Sequence, residues 1–428
     1  MHELQDEHYL RAVTELGDTR KIVASRDIYS QSGIKLVAAG IHITSDLYER
    51  LVKHKFLPSL DVALSIENML DPKAILQDVL DLIQTNDKLK KMADAIGKDD
   101  YYRRTILDLQ IPAPLAFKLT VAREKYHHIY QHSLLLLIIS VYLARRDEMI
   151  SQEAEWVATA ALFQDIGLLH IDPKLLEPSH VMSADERRHL YAHPLTAYLL
   201  LCEFPELPRH IADAVLEHHE RMDGSGYPRG LHGGKISRYG QILAVAELAA
   251  KAFDSGHPGV PWKKLEVMLK LNSRRYGQGF IGHLNILRDD PAAEGAPGNN
   301  DPECLVAQVR LIAKLFEDFN QHSDPAHRDE IFDFAQTRLA MLRLGLFEAG
   351  FDPRDPEALI QLFIDDPECM SEYAPLLNEA LWRFKSLVLE ISRHWPEETE
   401  NHDRQPEKPG HAWLSEMKLL LFTAGQGE

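Results

Sequence analysis

Three features of the sequence predict a mostly α fold: a helical bundle, with a small α/β module before it and a helical region after it. The first is an apolar run, Leu134 to Ile139 continuing through Val141-Tyr142-Leu143-Ala144. It is too short to span a bilayer and is interrupted by Ser140, so it reads as a helix buried on nearly all sides. The second is the series His132, Asp165, His193, His218 and Glu247, with successive separations of 33, 28, 25 and 29 residues. Each gap suits a helix, a turn and part of another helix, so polar residues from successive helices can converge in one bundle core. The third is amphipathic periodicity on both flanks of that region.

The first expected unit is residues 1–112. Within it, residues 21–65 read as a small α/β module, with short strands at Ile28-Tyr29 and Ile34-Lys35-Leu36-Val37 and turns at Gly33 and Gly40. Thr44-Ser45 offers an N-cap to an amphipathic helix through Leu47 and Leu51. Residues 74–96 read as helix through Ile75, Val79, Leu82 and Ile83. Such a module suits a sensor, or a packing or dimerisation element. Pro112 and Pro114 mark the entry to the next unit, 113–288, whose first helix is placed at about 114–146. Residues 289–303 form the clearest linker, being dense in Pro, Gly, Asn and Asp. Beyond it, 304–394 reads as amphipathic helices carrying Ile312, Leu315, Phe316 and Phe319. The tail, 395–428, is polar and proline-containing at first and is expected to be mostly disordered, with Trp413 to Phe422 as one short docking helix.

Composition excludes several classes. A chain of 428 residues with a formal charge of −18 has ample core for two or three domains. It is poorly suited to gripping long nucleic acid by counterion release. Residues 218–240 nevertheless carry Arg221, Arg229, Lys235 and Arg238 against Glu220 and Asp223, enough for a small anionic ligand or for an ordinary solvated loop. Cys202, Cys304 and Cys369 are widely spaced, which argues against a disulfide framework or a thiolate zinc site. An acidic N-terminus, Met1-His2-Glu3-Leu4-Gln5-Asp6-Glu7, and the lack of a transmembrane run lead to the expectation of a cytoplasmic chain.

The densest chemistry lies in His218-His219-Glu220-Arg221-Met222-Asp223-Gly224-Ser225-Gly226-Tyr227-Pro228. Imidazoles beside carboxylates suit a divalent metal acting as a Lewis acid. The glycines allow backbone N–H groups to approach an anionic ligand. Together with Gln164-Asp165-Ile166-Gly167 and His193-Pro194, this string resembles the HD-GYP family of metal-dependent phosphohydrolases, across about residues 113–288. Typical members of that family hydrolyse the bacterial second messenger cyclic di-GMP.

The resemblance implies an HD-type helical bundle and two metal positions bridged by the HD aspartate. One position is complete in this chain: Asp165, which the resemblance makes the bridging and catalytic carboxylate, with His193, His218 and His219. The other retains His132 but has Gln164 where the family has the HD histidine, and Glu247 where it has aspartate. His128, one helical turn before His132, could serve as a replacement ligand or simply be a surface histidine. The implied cofactor is one or two divalent ions, iron or manganese. Two phosphate-binding features are also absent: Leu168 follows Asp165-Ile166-Gly167 where the family has lysine, and Phe253 to Gly259 contains no Arg or Lys. Arg229 and Lys235 are candidate replacements, and Gly226, Tyr227 and Pro228 are candidate contacts for substrate or partner. Three functions stay open at this point. The chain is a cyclic di-GMP phosphodiesterase, a catalytically degenerate module binding a cyclic dinucleotide or a diguanylate cyclase domain, or a hydrolase of another nucleotide phosphoester. A homodimer is compatible with each.

Overall fold

The computed structural model describes residues 7–57, 59–97, 100–177, 180, 182–250, 253, 275–284, 301–322, 329–395 and 409–423. Residues 7–250 with 275–284 belong to one compact unit, and the described residues of 301–423 to a second. The N-terminal module, expected to stand apart from the bundle, therefore shares its unit.

Helix α1 (Glu7–Gly17) opens the first unit. Strand β1 (Ile22–Ala24) pairs antiparallel with β5 (Leu64–Ile66), Ile22 opposite Ile66. Strand β2 (Ile28–Ser30) lies between β3 (Lys35–Val37) and β4 (Phe56–Leu57), antiparallel to both. The expected strands at 28 and 34 are present, and β1, β4 and β5 were missed because a three-residue strand leaves too little alternation to read. The expected cap at Thr44 makes no side-chain hydrogen bond. Instead the Asp18 carboxylate accepts from Ser45 N–H, and a 3-10 turn leads into the four-residue helix α2 (Tyr48–Leu51). Helix α3 (Leu60–Ala63) follows β4. Both α1 and α3 pack against α7, described below.

The helix expected over 74–96 is two, α4 (Pro72–Gln84) and α5 (Asp87–Ile96). Asn86 separates them, its side-chain oxygen accepting from Lys88 N–H and Leu89 N–H as the N-cap of the second. After α6 (Tyr101–Leu107), the long first helix expected for the bundle is likewise divided. Tyr126, buried and at φ −128° and ψ 54°, separates α7 (Ala113–Lys125) from α8 (His127–Arg146), and the two pack on each other.

The apolar run lies in α8, where every residue from Ser133 to Ala144 is buried. Its neighbours include α4, α5, α7, α9 (Ser151–Phe163) and α13 (Arg238–Ala250). Between α9 and α13 the chain passes through α10 (Ala184–Tyr191), α11 (His193–Cys202) and α12 (Arg209–Glu217). Successive helices pack as neighbours, α11 on α12 and α12 on α13, and α14 (Gln278–His283) closes against α8 and α13. Burying a leucine or isoleucine of α8 contributes about 1.5–3 kcal/mol apiece, so this helix anchors the bundle.

In the second unit, α15 (Pro302–Gln321), α16 (Glu330–Glu348), α17 (Pro356–Asp365) and α18 (Met370–His394) enclose a core around Ile312, Phe319, Phe332 and Phe384. One boundary expectation is corrected. Asp301 to Glu303, placed in the linker, are the cap and first turn of α15, with the Asp301 carboxylate accepting from Glu303 N–H. The short helix expected over Trp413 to Phe422 is present as α19 (Pro409–Thr423), whose Trp413 is fully buried and meets Phe319 edge-on at 5.1 Å. An indole that enters the core holds that segment in the fold. The expectations for 289–300, 396–408 and 424–428 lie outside the described residues. No helix among the described residues is long and apolar enough to cross a membrane.

Candidate metal centre

Helix ends, rather than helix middles, deliver most of the polar side chains to the bundle core. Asp165 follows the end of α9 and opens a 3-10 turn, Ile166–His170. His193 is the first residue of α11, and His218 and His219 directly follow α12. His132 and Glu247 come from the facing helices α8 and α13. The turn after Asp165 lies very close to α11. A Cβ added to Gly167 would stand 2.2 Å from the His193 carbonyl oxygen, so only glycine permits this approach.

The ligand atoms of Asp165, His193, His218 and His219 all lie within 4.8 Å of one another, and so do those of His132, Asp165 and Glu247. Asp165 belongs to both sets. Its Oδ1 is 3.5 Å from His193 Nε2 and 3.8 Å from His218 Nε2, and its Oδ2 is 3.9 Å from His132 Nε2. All six expected metal-site residues thus converge. His128 is exposed and joins neither set.

The ring orientations fit a metal. Backbone carbonyls fix both buried imidazoles: His193 Nδ1 lies 2.7 Å from Leu190 O, and His218 Nδ1 lies 2.6 Å from Val215 O. With Nδ1–H donating there, each neutral ring points an Nε2 lone pair inward, the arrangement of a metal-binding histidine. The two Nε2 atoms are only 3.3 Å apart. Two lone pairs facing one another beside a buried carboxylate repel unless a cation lies among them. Burial opposes ionisation of Asp165, but with a proton in the cation's place the His193 hydrogen bond and the fields of His218, His132 and His193 hold its carboxyl well below the usual range. Burial also pushes His218 down to about 4, so the ring stays neutral and competent to ligate. The donor set of imidazole nitrogens and carboxylate oxygens suits iron, manganese or zinc.

The first position differs. His132 Nε2 lies 2.9 Å from Glu247 Oε2, and Gln164 Nε2 donates to the same oxygen at 3.3 Å. Gln164 is fully buried, and its Oε1 has no hydrogen-bond partner. Where an HD histidine would supply a nitrogen lone pair, the amide instead donates a proton to the carboxylate.

The glycine loop is more enclosed than its sequence suggests. Gly224, Ser225 and Gly226 are buried, while Pro228 and Arg229 are exposed. A Cβ on Gly226 would lie 2.3 Å from the Glu220 Cα, so this glycine lets the loop fold back on the histidine segment. The Tyr227 ring, half-buried, packs at 4.6 Å from both the His219 and Tyr191 rings. The carboxylates flanking the histidine pair organise the loop. Glu220 accepts from Arg229 N–H and Leu231 N–H, while Glu217 accepts from Ser237 N–H and pairs with the Arg229 guanidinium. Arg229, expected to face phosphate, is therefore engaged by Glu217. Arg221 lies over the Tyr276 ring and Arg238 pairs with Asp147, leaving Lys235, exposed on a 3-10 turn, as the basic residue of this stretch for which no such contact is seen among the described residues. The sequence reading missed Tyr191 and Arg275. Arg275 lies 3.6 Å from Asp223 and donates to Ser225, and no local pattern marks a residue so distant in sequence. The cation-free stretch after Phe253 lies outside the described residues.

Fold and site together define a helical domain with two histidine and carboxylate clusters that share Asp165 and could each hold a metal ion. Residues 119–264 match the family model described as HD domain, and within that match Gln164-Asp165 stands where the motif has a His-Asp pair. It is 36% identical over 182 residues to the cyclic di-GMP phosphodiesterase response regulator RpfG of Xanthomonas campestris pv. campestris, covering 41% of this chain and 42% of that protein. It is 28% identical over 137 residues to the cyclic di-GMP phosphodiesterase PA4108 of Pseudomonas aeruginosa, covering 32% of each. It is 29% identical over 192 residues to the 3'3'-cGAMP-specific phosphodiesterase 3 of Vibrio cholerae, covering 44% of this chain and 36% of that protein. The chain thus spans between about a third and two fifths of these relatives' length.

Proposed function

We propose that this chain is a metal-dependent phosphodiesterase of cyclic dinucleotide signalling, with cyclic di-GMP as its first candidate substrate. The observation that carries this reading is the set Asp165, His193, His218 and His219, in which backbone carbonyls orient the buried imidazoles of His193 and His218. Similarity to three cyclic dinucleotide phosphodiesterases supports the substrate class. A divalent ion held by these four residues would supply Lewis-acid activation of a phosphodiester. Asp165 stays ionised and faces both positions, and the Leu190 and Val215 carbonyls hold the two ring orientations. The Tyr227 ring covers one side of His219 and limits water access there. Lys235 is the candidate for the second phosphate, with Arg229 able to contribute only by leaving Glu217.

Gln164 favours a second reading. With an amide at the first position the site holds one ion, turnover is slow, and the domain acts chiefly by binding a cyclic dinucleotide or a diguanylate cyclase domain. Either role suits a cytoplasmic protein, as a homodimer or alone. The test is to load the purified chain with Mn²⁺ or Fe²⁺ and follow cyclic di-GMP and 3'3'-cGAMP by chromatography. Conversion to the linear dinucleotide, lost in the double change His218→Ala and His219→Ala, is the expected result. Binding without turnover would favour the second reading, and neither binding nor turnover would refute both.

A further inference from the structure

A cavity of about 270 Å³ lies between the N-terminal module and the bundle, within the first unit and apart from the metal centre. Its polar lining centres on Lys118 and Asp61, which are 3% and 9% exposed and stand 2.7 Å apart. Tyr9 donates its hydroxyl to Asp61, and the Lys118 ammonium lies 3.3 Å from His170 Nε2 and 3.8 Å from the centre of the Tyr9 ring. Leu10, Leu60, Leu200 and Phe204 supply apolar wall, and Lys55 and Glu203 bring a second pair of opposite charges to the lining.

An ion pair is a poor choice for merely fastening a module to a bundle, because apolar side chains of similar volume do so without the desolvation penalty. Facing a cavity, the pair offers a cation and an anion side by side at fixed separation, with apolar wall beyond. A lone carboxylate ligand would meet Asp61, and a lone amine would meet Lys118, in both cases as uncompensated like charge. A ligand carrying both charges on one carbon satisfies both. The volume falls below the roughly 300–1,000 Å³ typical of pockets for drug-sized molecules, and so favours a small metabolite over a second dinucleotide. We propose that this cavity binds a free α-amino acid with an apolar side chain, its carboxylate on Lys118, its ammonium on Asp61 and its side chain among the leucines and Phe204.

The cavity is connected to the metal centre through two short elements. His170 ends the 3-10 turn that Asp165 opens, and Leu200 lies on α11, which begins at His193. The turn and the helix touch where Gly167 meets the His193 carbonyl. An occupant that shifts either element therefore alters the Asp165–His193 separation, and by thermodynamic reciprocity ligand and metal change each other's affinity.

The test uses the full chain and a panel of the free amino acids, read by thermal shift and calorimetry. At least one of leucine, methionine and phenylalanine is expected to bind. For leucine, 4-methylpentanoate lacks the ammonium and 3-methylbutylamine lacks the carboxylate, and the corresponding analogues serve for the others. Each is expected to bind at least tenfold more weakly than the amino acid. Leu200→Trp, at a half-buried wall position, is expected to abolish binding while the chain stays folded. Lys118→Met provides a second variant if that one is unstable. No binding by any amino acid at millimolar concentration, equal binding by an acid or amine analogue, or binding retained in a folded Leu200→Trp chain would overturn the proposal. Saturating amino acid should also change Mn²⁺ affinity severalfold, and an unchanged affinity would refute the link to the metal centre. The binding measurements involve no turnover, so they stand or fall separately from the phosphodiesterase reading.

Discussion

Gly167→Ala tests whether the metal centre depends on contact between one turn and one helix. The added Cβ would sit 2.2 Å from the His193 carbonyl oxygen and 3.0 Å from its carbon. Ordinary van der Waals contact begins near 3.4 Å, so the turn and α11 must separate by about 1 Å. Both contacts are to backbone, which cannot rotate away as a side chain can. Overpacking of this kind costs about 1–3 kcal/mol. At about 2–4 °C per kcal/mol for a unit of this size, Tm should fall by roughly 2–12 °C. The separation falls between Asp165, two residues before Gly167, and His193. A site tolerant of about 0.2 Å in ligand distance would lose one of its four ligands, lowering metal affinity by about 10–100-fold. Mn²⁺ titration with thermal melts in the presence and absence of chelator would measure both effects. Gly279→Ala is the control, since a Cβ there meets nothing within 4 Å and the residue lies in α14. If Gly167→Ala matched the unaltered chain in metal affinity and melted within about 1 °C of it, the turn would not position Asp165 and the argument would fail.

Two further substitutions probe the remaining departures. Gln164→His, with or without Glu247→Asp, should raise metal content from about one ion per chain toward two by elemental analysis, because it replaces an amide that donates to Glu247 with a nitrogen lone pair. Unchanged stoichiometry would move the defect elsewhere, with Leu168 the next candidate. Tyr227→Ala should lower stability by about 1–3 kcal/mol, read as a lower Tm, and metal affinity roughly tenfold, because its ring packs on His219 and Tyr191. Tyr227→Phe should restore both, and a variant that kept both but lost partner binding would return the loop to the role of a surface contact.

The sequence disclosed the metal centre far better than it disclosed the parts that hold that centre in place, for a physical reason. His132, Asp165, His193, His218, His219 and Glu247 were readable because their types and separations match the motif that the chain resembles, and helix lengths keep such separations fixed. The supports of the site follow no such rule. Arg275 reaches the 223–225 segment through packing alone, and the lone pairs of His193 and His218 are aimed by backbone carbonyls that any residue supplies. Glu217 and Glu220 illustrate the ambiguity. Beside two histidines, a carboxylate reads equally well as a metal ligand or as a clamp on a loop, and both choices leave the same letters in the chain. What decides between them is direction: Glu220 points at two backbone N–H groups of the following turn, whereas Asp165 points at three imidazoles. Lys118 was harder still, since a lysine between Phe117 and Leu119 in α7 gives no hint that Asp61 waits on α3. Their pairing becomes visible only once the N-terminal module is packed on the bundle, and it is there, not in the motif, that the structure adds a second place for chemistry.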